Sequence, residues 1–260
     1  MDLNLKNKVI IVTGGSSGIG EAITRLLADE GAIPVIASRN GERNQNLVAE
    51  LNAKGQLSHS ITGELSDPVF CEKIIQEVVA KHGQIDALVN NAGRNDGVGL
   101  EHGNPAAFMQ SLTENLGHYY NLAHFALPWL KQTKGNIVNI SSKVAMTGQG
   151  GTSGYAASKG AQLALTREWA AELLPFGIRV NAILPAEVMT PLYENWIQTF
   201  ENPQVKLDSI LSKIPLGQRM TTAEEIASAT VFLLSEKASH ITGQWWVVDG
   251  GYVHLDRALT

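Results

Sequence analysis

Residues 8 to 20 read KVIIVTGGSSGIG, a short β-branched apolar run that ends in glycine and serine before EAITRLLADEGA continues at helical spacing to Gly31. The pattern predicts a buried strand, a tight turn and an amphipathic helix closed by glycine. In that setting Gly14, Gly18 and Gly20 permit a sharp turn and let a pyrophosphate approach backbone N–H groups at the positive end of a helix. Their spacing is not the G-x-G-x-x-G of long-chain dehydrogenases. A tight turn that binds nothing is the alternative on this motif alone.

Outward from that stretch the same alternation continues. IPVIAS is a second strand, GERNQNLVAELNAKG a helix and LSHSIT a third strand. DPVFCEKIIQEVVAKHG follows as a helix with Asp67 as N-cap and Pro68 at the first helical position, and IDALVNNAG is a fourth strand. Residues 105 to 131 read as one or two helices; GNIVNISS and GIRVNAILPA are strands on either side of a helix beginning near Tyr155; TAEEIASATVFLLSE leads to a last strand, QWWVVDGG. Seven strands alternating with helices predict an α/β fold: one doubly wound, parallel, seven-stranded Rossmann sheet with helices on both faces. Such strands are buried on both sides and therefore read as continuous apolar runs, as KVIIV, DALVN and NIVNI do. No linker, composition shift or charge run divides residues 1 to 260, which predicts a single dinucleotide-binding domain. Residues 189 to 215 interrupt the alternation between Pro191 and Pro215; a mobile substrate flap and an ordinary helical insertion are the two readings.

The chemistry centres on SKVAMTGQGGTSGYAASK, residues 142 to 159. Tyr155 and Lys159 stand four apart on a helical pattern and so share one face. A free phenol, with a pKa of about 10, is a poor base at neutral pH, but a close ammonium favours the phenolate. Lowering it by ~2 to 3 units takes roughly 3 to 4 kcal/mol, which one cation in a partly dry site supplies. The product is a proton-transfer group suited to interconverting an alcohol and a ketone. Ser142, at the end of an apolar strand, is placed to donate to a carbonyl oxygen or hold a substrate hydroxyl. The bland reading makes Tyr155 and Lys159 surface residues of an amphipathic helix.

The end of the second strand bears on the cofactor. An acidic residue there would accept from a ribose 2′-hydroxyl and repel a 2′-phosphate. Ser38 and Arg39 stand in that place, which favours NADP; Arg39 stacking on adenine instead leaves NAD possible. Glu64, after the third strand, is placed to accept from the adenine amino group, or else is a solvated loop carboxylate.

Composition excludes several classes. With 20 Lys plus Arg against 25 Asp plus Glu the net charge is -5, and no basic patch interleaves with aromatics, so no nucleic-acid partner is expected. Cys71 is the single cysteine, which rules out an intrachain disulfide and fits a reducing compartment. The seven histidines lack metal-ligand spacing, and no metal is expected. LAHFALPWL, the most apolar later window, carries His124 and Pro128 and is too short to span a bilayer. The expectation is a cytoplasmic protein without membrane partners.

Four motifs together, TGGSSGIG at 13 to 20, NNAG at 90 to 93, Ser142 with YAASK at 155 to 159, and VVDGG at 247 to 251, resemble the short-chain dehydrogenase/reductase family along nearly the whole chain. The resemblance implies a catalytic tetrad of Asn115, Ser142, Tyr155 and Lys159. Tyr155 would exchange the proton, Ser142 would position the reacting oxygen, and Lys159 would bind the nicotinamide ribose and acidify the phenol. Asn115 would hold a proton relay through a backbone kink and a water. It further implies cofactor contacts from Gly14, Ser16, Ser17, Gly18, Ile19 and Gly20, from Ser38, Arg39, Glu64 and Leu65, and from Asn90, Asn91, Ala92 and Gly93. Pro185, Val188 and Thr190, together with Tyr155 and Lys159, complete that set, with Val188 at the nicotinamide carboxamide.

The chain departs from the family at Pro185-Ala186-Glu187, where Pro-Gly is usual. A carboxylate there gives nothing to a steroid or long acyl chain, whereas a sugar or polyol can use it as a bidentate acceptor. Arg94, Asn95, Asp96, Lys143 and Gln149 add polar groups near the expected mouth, each with a solvated-surface alternative. RNDGVGLE, GQGGTSGYAASKGAQLALTREWA, PAEVMTPLYENWIQTFE and GGYVHLDRAL together resemble the bacterial L-fucose dehydrogenase branch of the family. That resemblance implies oxidation of an L-fucose-like aldose to a lactone. The alternatives are a 3-oxoacyl-thioester (acyl-carrier-protein) reductase, which would want a basic patch, and a catalytically idle dinucleotide sensor, which would want a missing tetrad member. Apolar helix faces and the run GQWWVVDGGYVH predict self-association, and the family resemblance implies a tetramer.

Overall fold

A computed structural model describes residues 2 to 255. The elements run β1 (Val9–Thr13), α1 (Gly18–Asp29), β2 (Ile33–Ser38), α2 (Gly41–Ala53), β3 (His59–Thr62), α3 (Pro68–His82), β4 (Ala87–Asn90) and α4 (Pro105–Leu112). There follow α5 (His118–Thr133), β5 (Asn136–Ile140), α6 (Ser153–Glu172), β6 (Arg179–Pro185), α7 (Pro191–Ile197), α8 (Pro203–Leu211), α9 (Ala223–Leu234) and β7 (Trp245–Val248). All strand pairs are parallel, in the order β3-β2-β1-β4-β5-β6-β7. The order reverses between β1 and β4, so a crevice opens beyond the carboxyl ends of those two strands.

The double winding follows from period-two side-chain alternation within apolar strands. Val9 and Ile11 face Ile74, Val78, Tyr119, Leu122 and Trp169 on α3, α5 and α6. Ile10 and Val12 face Ile23 and Leu27 on α1 and Ile226 and Val231 on α9. Each such side chain, fully buried, contributes roughly 1.5 to 3 kcal/mol. Helix ends are set as their sequences predict: the Asp67 carboxylate accepts from Val69 N at 2.9 Å, with Pro68 next, and Gly83 ends α3 at φ 72°. Thr222 and Glu225 form a reciprocal capping box on α9.

Two boundaries differ from expectation. The third strand starts at His59, opposite Val35 of β2, and leaves Leu57 exposed. Residues 105 to 133 form two helices joined by a single π-helical turn, Thr113–Gly117, which places Asn115 in the interior. The Asp256 to Leu259 part of the tail that carries the branch resemblance lies outside the described residues.

Candidate active site

The Gly-rich turn is shaped by what glycine alone tolerates. Gly14 and Gly18 have φ of 64° and 55°, and a Cβ on Gly20 would stand 2.2 Å from the Gly14 carbonyl oxygen and 2.6 Å from Asn91 Nδ2. Ser17, the N-cap of α1, makes no side-chain bond to the helix, so the first-turn N–H groups of Gly18, Ile19 and Gly20 remain available to an anion. The other wall of the crevice is tied to this one: Thr13 Oγ1 accepts from the backbone N–H of both Asn91 and Ala92, at 2.8 and 2.9 Å. Asn91 Nδ2 donates to the Thr13 carbonyl at 2.9 Å. Asn90 is buried and donates to Asn139 Oδ1, so it braces the sheet rather than lining the crevice.

Thr190 brings the far end of the chain over the same turn. It caps α7 by accepting from Tyr193 N, and its methyl carbon lies 3.1 Å from where a Gly18 Cβ would be. Val188 is buried and pairs with Thr221 in an isolated parallel bridge. Pro185 ends β6 in the ladder with Val248. The Leu65 side chain is in the core. At the opposite end of the crevice Ser16 Oγ and Ser38 Oγ are 3.1 Å apart, while exposed Arg39 reaches Glu64 at only 3.5 Å. Arg43, one turn into α2, directs its guanidinium at Ser17 Oγ, 3.4 Å away. These groups fit a nicotinamide dinucleotide: bare N–H donors for its pyrophosphate and two weakly engaged guanidinium groups at its ribose end.

Asn115, Ser142, Tyr155 and Lys159 converge where β4 and β5 end. Gly154 is buried against Ser111 of α4, which seats the start of α6 on the sheet edge. Ser141 Oγ donates to the Lys159 carbonyl at 2.9 Å and ties α6 to the end of β5. Ser142 hydrogen-bonds the Tyr155 phenol. Asn115 Oδ1 accepts from Arg94 N at 2.8 Å, and its amide donates to the Ser111 carbonyl at 3.1 Å.

One expectation needs correction. Lys159 does not acidify Tyr155 within the protein alone. Its Nζ lies 2.7 Å from the Ile140 carbonyl and 5.5 Å from the Tyr155 ring centroid, and burial pushes the phenol up to about 12, offset in part by Ser142. Burial also drives the ammonium down to about 7. Each group loses more by desolvation than the other returns across that gap. At Asn115 the expected kink is present as the π turn, and its carbonyl accepts from Gln162 Nε2 at 2.9 Å, which leaves one lone pair for a further donor.

The polar residues expected at the mouth behave differently from one another. Lys143 and Glu187 form an ion pair, with side chains 11% and 12% exposed, and Lys143 Nζ stands 4.1 Å over the Tyr252 ring. Burial raises the Tyr193 phenol, and Glu187, hydrogen-bonded to it, raises it further. Asn95 Oδ1 accepts from Gly97 N at 3.2 Å and from Thr152 Oγ1 at 2.6 Å, which ties its loop to the start of α6, and Asp96 accepts from Val98 N within that loop. Arg94 pairs with Glu114 at 2.9 Å, and Gln149 is exposed.

Sequence reasoning missed Arg43, Tyr193, His118, Tyr119 and Gln162. Arg43 sits one helical turn beyond the strand end where a phosphate partner is expected. The other four lie in helices; burial singles out His118, Tyr119 and Gln162, and the hydrogen bond to Glu187 singles out Tyr193. His118, buried beside Lys159, is held down to about 3, chiefly by burial and then by that lysine.

A profile for the family described as enoyl-(acyl carrier protein) reductase matches residues 14–253. The 3-oxoacyl-acyl-carrier-protein reductase FabG of Thermotoga maritima is 36% identical over 252 residues, 96% of this chain and 100% of that protein. The L-fucose dehydrogenase of Mus musculus is 38% identical over 246 residues, 94% of this chain and 88% of that protein. The crystal structure of the Cj0485 dehydrogenase matches with a TM-score of 0.94 at 50% identity, covering 100% of this chain and 99% of that one.

Proposed function

The chain belongs to the short-chain dehydrogenase/reductase family and is an oxidoreductase of CH–OH groups that uses NAD(H) or NADP(H); on that premise we propose that it oxidises a neutral sugar or polyol, an L-fucose-like aldose to its lactone. The observation that carries the substrate class is the Lys143–Glu187 ion pair, sequence neighbours respectively of Ser142 and Val188 and largely shielded from water. A paired carboxylate and ammonium leave the mouth without net charge yet rich in acceptors and donors, with the Tyr193 and Tyr252 rings beside them. Vicinal hydroxyls satisfy such groups, whereas an acyl chain strands them at a cost of roughly 1 to 3 kcal/mol per unpaired group. Similarity to the mouse L-fucose dehydrogenase supports the same reading.

In this reading Ser142 and the Tyr155 hydroxyl hold the reacting oxygen, and Tyr155 exchanges its proton while Lys159 supplies positive charge nearby. The dinucleotide, when bound, supplies the ring that accepts or donates the hydride. Gly14 to Gly20 hold its pyrophosphate, and Lys159 its nicotinamide ribose. Arg39 and Arg43 favour NADP, since two guanidinium groups suit a 2′-phosphate and no carboxylate ends β2. Residues 189 to 215, carrying α7 and α8, serve as a flap over the mouth, and the active particle is a homo-oligomer.

A second reading, reduction of a 3-oxoacyl thioester, is favoured by the Thermotoga relative, which matches over its full length. Absorbance at 340 nm with each cofactor separates the two, against L-fucose, other aldoses, polyols and a 3-oxoacyl thioester. The expected result is turnover on an aldose, with a lower KM for NADP than for NAD. Turnover confined to the thioester would establish the second reading in its place.

A further inference from the structure

Lys159 is 3% exposed, and among the described residues no carboxylate pairs with its ammonium. What meets Nζ instead is neutral: the Ile140 carbonyl at 2.7 Å and, 3.4 Å away, the hydroxyl of Tyr119. Tyr119 is itself completely buried. Its phenol donates to the same Ile140 carbonyl at 3.0 Å, so its single hydrogen is committed and its oxygen turns lone pairs toward the lysine. Gln162, also completely buried, donates to the Asn115 carbonyl at 2.9 Å and hydrogen-bonds the Tyr119 hydroxyl with the same amide. A continuous line of protein groups therefore links the Asn115 turn to Lys159.

Packing does not account for that line. A phenylalanine ring fills the space of Tyr119 without burying a hydroxyl, and burying an oxygen costs free energy unless it answers another polar group. The groups it answers are the Ile140 carbonyl, the Gln162 amide and the Lys159 ammonium, and only the last of them is charged. The other titratable side chains beside Lys159 are His118 and Tyr155, and among the described residues Tyr119 is the one side chain whose oxygen lies within hydrogen-bond reach of the ammonium.

We propose that Tyr119 is a positioning residue for Lys159, its oxygen serving as the neutral acceptor that keeps the ammonium charged and directed at the end of β5, beside Tyr155. The proposal rests on the roles given above to Tyr155 and Lys159. Losing a proton, the buried pair has two outcomes: the phenol gives it up, which is productive for oxidation, or the ammonium does, which is not. Weakening the ammonium diverts the pair to the second outcome. The apparent pKa then falls and the rate plateau falls with it, a combination that general loosening of the fold does not produce.

The test is the pH profile of kcat for alcohol oxidation by Tyr119→Phe, which loses one oxygen and keeps the ring. A plateau about tenfold lower, an apparent pKa about one unit lower, and KM and cofactor Kd within about twofold of the unaltered enzyme are expected. Tyr120→Phe, one residue along on the exposed face, should leave the profile unchanged. An unchanged profile in Tyr119→Phe overturns the proposal, as does a lower plateau with no pKa shift. Tyr155→Phe run beside it separates the two claims: if that variant keeps its rate, the assignment of Tyr155 falls and this proposal with it; if only Tyr119→Phe is silent, this proposal falls alone.

Discussion

Tyr155→Phe should lower kcat by about a thousandfold or more, since a positioned acid–base group contributes roughly 10²- to 10⁴-fold and a phenyl ring has no proton to exchange. Dinucleotide affinity, measured by quenching of protein fluorescence, should stay within about threefold. The pyrophosphate donors belong to the turn from Gly14 to Gly20, which gains nothing from the Tyr155 oxygen. The ring itself stays packed at the start of α6, so the variant folds. A rate within about tenfold of the unaltered enzyme at 340 nm would remove Tyr155 from the mechanism and leave only a dinucleotide-binding fold.

Lys159→Met should abolish turnover and make the protein more stable at neutral pH. The lysine's ammonium sits at about 7, well below its ordinary 10.5, because burial disfavours the charge. Between those values the unfolded chain holds a proton that the folded chain does not, so stability rises with pH across that window. At pH 7 most of the cost is present, about 4 kcal/mol, and methionine relieves it while filling similar volume. Ile140 keeps a donor in Tyr119, so no carbonyl is orphaned. Thermal unfolding of both proteins from pH 6 to 10 should show a gap of several degrees at pH 7 that narrows toward pH 10. A methionine variant less stable at pH 7 would mean that the lysine is held by interactions stronger than its burial penalty. Such a gap also marks the site as one where stability is given up for chemistry.

The fold was legible because its signal is local. Continuous apolar runs such as Val9–Thr13 can be buried on two sides only between helical layers, and Asp67-Pro68 or Thr222 with Glu225 mark helix starts by their own hydrogen bonds. The π turn at Thr113–Gly117 was not legible: one widened turn leaves no periodic trace, and only the buried Asn115 shows its purpose. Site residues carried by compact motifs, from Gly14 to Gly20 and from Tyr155 to Lys159, come together in the fold as their spacing implies. Long-range pairing was beyond reach. Lys143 and Glu187 read as two separate polar groups, yet β5 and β6 are adjacent and bring them into one ion pair. Tyr119 and Gln162 sit at positions that helical periodicity assigns to the core, and periodicity is blind to the oxygen and amide they carry into it. The Tyr155 acidity failed for a related reason, because a four-residue spacing predicts proximity but not the carbonyl of Ile140 that draws the ammonium aside.

The central claim is that Tyr155 faces the reacting carbon at the carboxyl edge of the sheet, and a crystal structure with oxidised cofactor and a polyol substrate analogue tests it most directly. The account predicts the nicotinamide C4 about 3 to 3.5 Å from the carbon that would lose hydride, with the oxygen on that carbon about 2.6 to 3.2 Å from Tyr155 Oη. A ring docked away from Tyr155, or a phenol turned to bulk water with substrate oxygen held elsewhere, would contradict it.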